Sequence, residues 1–166
     1  LQVMQERQHR LASARAVDGV ILGGQTANGT TPFTPGNITA GTDFTSYLLH
    51  FDPVGAAAGN STISGSVTFA YDIIGIVTAA AKLVGSDPIL GSIGQYGAAA
   101  DRGLLLAGTD FITISANRRT LTFNLTIASI DAAEFRVLTA PTLPADFNGD
   151  GIVNASDLAV WKSAAG

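Results

Sequence analysis

Thr120-Leu121-Thr122-Phe123-Asn124-Leu125-Thr126-Ile127 reads as a β-strand before any other part of the chain is considered. Leu121, Phe123, Leu125 and Ile127 take every second position, and Thr120, Thr122, Asn124 and Thr126 fill the gaps. Side chains of a strand point alternately to its two faces, so this pattern gives one buried and one solvated face. Upstream, the segment from Phe111 to Ser115 approaches it across Ala116-Asn117-Arg118-Arg119, a spacing that predicts a hairpin. The period of two continues through Ile63, Gly65, Val67, Phe69 and Tyr71, and through Tyr47, Leu49 and Phe51. Ile73-Ile74-Gly75-Ile76-Val77 is apolar on both faces and is expected inside a sheet. Val17 to Leu22, Leu104-Leu105-Leu106 and Phe135-Arg136-Val137-Leu138 are further strand candidates. About eight strands separated by turn signals define an all-β expectation, an antiparallel β-sandwich or jelly-roll-like fold.

Three stretches give weaker signals. Residues 1–16 form a polar arm of formal charge +2, holding Arg7, Arg10 and Arg15 against Glu6. Its apolar positions, Leu1, Met4 and Leu11, leave helix, docked strand and free arm all open. Gln25 to Asp43 is rich in Thr, Gly, Pro and Asn and reads as a long loop or loosely paired edge. Ala79 to Arg102 is rich in Gly and Ala and favours no element. The expected organisation is an arm over 1–16, a sandwich over 17–140 and a tail over 141–166, with Pro141 and Pro144 marking the last boundary.

Composition narrows the function classes. Hydrophobic residues make up 46% of the 166 and charged residues 13%, below the ~25% of an ordinary soluble domain. A net charge of −4 with a pI near 4.8 supplies no basic stripe for nucleic acid. No apolar run approaches the ~20 residues of a membrane-spanning helix. There is no cysteine, hence no disulfide or thiolate site. This weakly charged, Thr- and Gly-rich profile suits a secreted or cell-surface β-protein, and a sequence opening on Leu1 is consistent with processing. Ala14-Arg15-Ala16 mimics a signal-peptidase site, but the polar run Gln5 to Arg10 before it is no apolar signal core.

Catalytic signals are sparse, and the expectation is of no enzyme. No Gly-x-Ser-x-Gly elbow is present. His50 and Asp52, two apart on one strand, could form an acid–base or metal pair, though a solvated strand face is the better reading. Asp101-Arg102 and Asp110 fall near turns, where Asp usually organises the backbone. Gly91, Gly94 and Gly97 match no phosphate-binding fingerprint.

The strongest chemical signal lies at Asp146-Phe147-Asn148-Gly149-Asp150-Gly151-Ile152-Val153-Asn154-Ala155-Ser156-Asp157. Oxygen-bearing side chains occupy loop positions 1, 3, 5, 9 and 12, and glycine occupies position 6, the spacing of an EF-hand calcium loop. Calcium takes six to eight oxygens at about 2.3–2.6 Å, so the chain must curl tightly, and Gly151 permits the sharp turn. Position 7, Ile152, would contribute its backbone carbonyl. Asp157 stands at position 12 in place of the usual bidentate Glu.

With Asp157-Leu158 and Trp161-Lys162 following the loop, residues 146–162 resemble one repeat of a type I dockerin, a calcium-binding module of secreted bacterial proteins that docks onto cohesins. The resemblance implies calcium ligation by Asp146, Asn148, Asp150, Ile152 (carbonyl), Asn154 through water, and Asp157. It also implies that the helix starting near Asp157 carries the contact face, with Leu158 and Trp161 as interaction residues. One repeat is present here where dockerins carry two. The leading functional expectation is a secreted, non-catalytic structural or adhesive sandwich with a calcium-stabilised tag. It would assemble with copies of itself into extracellular filaments or a lattice, the arm and the tail forming two unlike sticky ends. The alternatives are an accessory module docking to a cohesin-like scaffold and a polysaccharide-binding sandwich.

Overall fold

The computed structural model describes residues 1–51, 61–92, 96, 102–104, 106–127, 133–140, 145, 147, 153 and 155–165, and among these lie eleven strands and two helices. In chain order these are β1 (Gln2–Arg10), β2 (Arg15–Val17), β3 (Gly19–Val20), β4 (Gln25–Asn28), β5 (Gly36–Ile38), β6 (Asp43–Phe51), β7 (Ser61–Thr68), β8 (Ile73–Val77), α1 (Ala80–Leu90), β9 (Phe111–Ile114), β10 (Thr120–Ile127), β11 (Ala133–Thr139) and α2 (Ala155–Ala165). They build a five-stranded sheet in the order β1-β6-β11-β8-β3, a four-stranded sheet in the order β4-β9-β10-β7, and a β2-β5 ribbon. Every pairing is antiparallel. The architecture is the expected all-β sandwich.

The alternation quoted above becomes β10. Leu121, Phe123, Leu125 and Ile127 are buried, and the Thr and Asn positions between them face outward. The hairpin with β9 forms in the register Leu121↔Ile114 and Phe123↔Ile112, and Arg118 takes the left-handed turn conformation (φ 57°) that closes it. The inward side chains of the four-stranded sheet meet Leu49, Ile73, Ile76, Phe135 and Val137 of the other sheet in the main core. On the outer face of the four-stranded sheet, hydroxyls and amides pair across strands: Thr26–Thr113 at 2.9 Å, Thr68–Thr120 at 3.1 Å and Ser64–Asn124 at 2.5 Å.

The five-stranded sheet is covered on both sides, so all seven residues of β11 are buried. Phe135 and Val137 face the sandwich core. Leu138 joins Phe44, Val77, Leu83 and Leu90 in a second core beneath α1, and Arg136 reaches the same helix. Ile73–Val77 is an interior strand, between β11 and β3, as its two apolar faces require.

One expectation is corrected, and three stretches left open are resolved. Residues 2–10, for which helix, docked strand and free arm were open, form a docked strand: β1 pairs along its length with β6, which supplies ladder partners that a mixed polar sequence cannot announce. The region from Gln25 to Asp43, read as a long loop or loosely paired edge, holds the short edge strand β4, β5 of the ribbon and the start of β6. The undetermined stretch after Ala79 contains α1. Leu104 and Leu106 are not in a strand, because the chain bends at Gly103 (φ 107°); both pack against the main core from a loop.

Candidate functional site

The C-terminal segment carries the residues singled out for metal and partner binding. Of the six expected calcium ligands, Asp146, Asn148, Asp150, Ile152 and Asn154 lie outside the described residues. Asp157 is in the first turn of α2 and only 2% exposed. A carboxylate is rarely withdrawn from water unless hydrogen bonds or a cation compensate it. An acidic side chain in the first turn also suits the positive end of the helix dipole. Burial of the position-12 oxygen donor is therefore compatible with a calcium loop ending at Asp157. The other five ligand positions would complete the oxygen set around the ion, whose contribution would be to hold the loop in one conformation.

Beyond Asp157 the helix is apolar and exposed. Leu158 is 48% exposed, Val160 40% and Trp161 48%, and Phe147 and Val153 earlier in the segment are equally open. Leu158 and Trp161 are three residues apart, so they share one side of α2. Trp161, expected as an interaction residue, is left half in solvent.

A second constellation was missed by sequence reasoning. Beneath α1, Arg136 is fully buried and donates to Glu6 (2.6 Å from Nε, 2.9 Å from Nη2), to Asp87 (3.0 Å) and to the Ser86 hydroxyl (2.6 Å). Arg102, also buried, bridges Asp87 (2.5 Å) and Glu134 (2.6 Å), and Glu134 meets His50 Nδ1 at 2.9 Å. The Tyr96 hydroxyl donates to Glu6 at 2.6 Å, and the Arg102 guanidinium lies 4.5 Å from that ring's centre. Glu6 reaches this cluster because β1 is bulged between Gln5 and Arg7, and a bulge re-aims the side chain of its extra residue. The available signal was Arg136 within the apolar run Phe135 to Leu138. His50, paired in the sequence reading with Asp52, has Glu134 as its partner; Asp52 lies outside the described residues. Arg102 is buried in the cluster and not at a turn surface, whereas Asp110 does organise a turn, accepting from the Ala107 and Thr126 amides. Asp101, Gly94 and Gly97 also lie outside the described residues, and Gly91 ends α1.

Burial alone would raise the Asp87 carboxyl, but Arg102 and Arg136 outweigh it and hold it below the usual carboxylate range. Asp18 behaves similarly: burial raises it, and the Ala79 amide, Lys82 and the Thr78 amide bring it lower. A carboxylate whose folded pKa is depressed stabilises the fold above its unfolded value, about 3.9. That stabilisation is lost as pH falls through the folded value. Denaturation midpoints should therefore drop steeply below about pH 4, and Asp87→Asn should flatten that acid limb while lowering stability at neutral pH. A limb unchanged by the substitution would contradict this assignment.

A cavity of about 310 Å3 lies elsewhere, lined by Pro32, Phe33, Pro35, Leu104 and Leu106 among others. Asp18 lines it too, but its carboxylate is committed to the Thr78 and Ala79 amides and to Lys82. Among the described residues no three His, Asp or Glu side chains form a metal-binding group, and no helix is long and apolar enough to cross a membrane. Compared with known proteins, the chain matches no family model, no curated protein and no solved structure.

Proposed function

We propose that residues 146–165 are a calcium-organised docking tag, and that the chain is a non-catalytic extracellular β-sandwich tethered through it to a cohesin-like protein partner. The observation that carries this reading is the contrast within α2, where Asp157 is buried while Leu158, Val160 and Trp161 stay exposed. Tryptophan is a favoured anchor of protein interfaces, and a segment rigidified by calcium loses less entropy on docking. The non-catalytic part is supported by the cluster beneath α1, whose charges are buried and satisfied by one another, an arrangement that holds a fold rather than receives a substrate. Self-assembly by donation of residues 1–16 loses support because β1 is spent in its own sheet and clasped there by Glu6–Arg136.

Surface plasmon resonance with the full chain immobilised and a cohesin domain as analyte tests the proposal. Binding should require calcium and weaken at least tenfold in Trp161→Ala, about 1.4 kcal/mol, within the range of an interface anchor. Binding indifferent to both, or none with saturating calcium, would reject the docking tag.

A further inference from the structure

The four-stranded sheet has β4 and β7 as outer strands, and the five-stranded sheet has β1 and β3. An outer strand presents main-chain N–H and C=O groups without ladder partners, and proteins guard such edges by shortness, charge, proline or bulges. Strands β3 and β4 are two and four residues long. Strand β1 carries Arg7 and Arg10 and is bulged at Glu6. Among the described residues, strand β7 has none of these guards. It runs for eight residues without a charge or a proline, in unbroken register with β10. Its core-facing Ile63 and Val67 remain partly exposed, whereas Leu121, Phe123 and Leu125 one strand inward are buried. Among the described residues, the hydrophobic layer of the sandwich is left open along this side.

The sequence of the strand indicates what closes it. Thr62-Ile63-Ser64-Gly65-Ser66-Val67-Thr68 reads the same, in chemical terms, in both directions about Gly65. A twofold contact uses one surface patch twice and so requires self-complementarity, which an antiparallel pair of such strands has. We propose that β7 is a homodimerisation edge, pairing antiparallel with β7 of a second copy about Gly65 and joining two four-stranded sheets into one of eight strands. Ile63 then faces the second copy's Val67, Ser64 faces its Ser66, and Thr62 faces its Thr68. The apolar pairs extend the core layer on one face. The hydroxyl pairs extend the rows already formed by Thr68–Thr120 and Ser64–Asn124 on the other. A slip of one residue would turn Ile63 and Val67 to solvent, so the register is specified.

Seven paired residues form a smaller contact than the ~1,200–2,000 Å2 of a stable interface, so the dimer is weak and concentration-dependent. Sedimentation velocity on the full chain, from about 10 μM to about 1 mM and with calcium or a chelator, should show a reversible dimer indifferent to calcium. The double substitution Ser64→Lys/Ser66→Lys sets like charges opposite one another and should weaken it at least tenfold. Ser64→Lys/Ser66→Glu sets opposite charges in the same places and should restore it. The chain has no cysteine, so mixing the Ser64→Cys and Ser66→Cys proteins under oxidation should give a cross-linked heterodimer more readily than either protein alone. These single-atom changes carry the test if the lysine variant fails to fold. A monomer at the highest concentration overturns the proposal, as does a dimer that ignores the lysines and does not cross-link. A dimer abolished by chelation or by Trp161→Ala belongs to the tail and also overturns it, whereas loss of partner docking alone leaves it standing.

Discussion

Arg136→Ala is expected to lower the free energy of unfolding by about 3–5 kcal/mol, a large part of the 5–15 kcal/mol that stabilises a typical domain. The reason is asymmetry. The guanidinium neutralises Glu6 and shares Asp87 with Arg102, in a layer with little access to water. Truncating it leaves the buried Glu6 carboxylate without its guanidinium and Asp87 with Arg102 alone. Glu6→Ala should be nearly as damaging, because it leaves Arg136 buried and short of its bidentate partner. The exposed pair of Arg10 and Asp43, 3.9 Å apart, is the contrasting case: Asp43→Asn should change stability by no more than about 1 kcal/mol. Guanidinium unfolding followed by circular dichroism measures all three. Equal midpoints for Arg136→Ala and Asp43→Asn would remove the cluster from the account of stability.

Calcium binding is expected to be lost altogether in Asp150→Ala. Titration calorimetry on the unmodified chain should give one ion per chain, with affinity in the micromolar to millimolar range. Three carboxylates, Asp146, Asp150 and Asp157, would face the ion, and the shorter Asp157 at position 12 supplies less than the usual bidentate Glu. Removing the central carboxylate leaves too few charged oxygens to repay dehydration of the ion. Removal of residues 144–166 should leave the unfolding midpoint of the sandwich unchanged, since the strands of both cores lie upstream. Absence of any heat with the unmodified chain would end the calcium reading, and unfolding of the truncated protein would make the tail part of the core.

The sandwich was legible wherever one strand face meets core and the other meets water, as in β7 and β10, because burial then writes itself into alternate residues. It was illegible where tertiary partners decide. Strand β1 mixes Val3 and Met4 with polar residues in no alternating order, and β6 beside it supplies its ladder partners. Helix α1 was hidden because only Leu83, Ser86 and Leu90 are fully buried, one of them polar, while Gly85 and Pro88 depress its intrinsic propensity. The calcium spacing is a local pattern and could be read directly. The ionic cluster draws on residues scattered from Glu6 to Arg136, and nothing in their local sequence announces their meeting.

That scatter also bears on how the chain is made. Glu6 and Arg136 are 130 residues apart, and β1 closes one flank of a sheet in which β11 sits in the middle. At about 5–20 residues per second, β1 leaves the ribosome roughly 6–26 seconds before its clasp exists. Throughout that interval the nascent chain displays unclosed strands with little charge to keep them apart. Contacts of such long sequence separation also slow the search for the native topology. Closure of the sheet around β1 and β11 is therefore a late event, set by the arrival of Arg136.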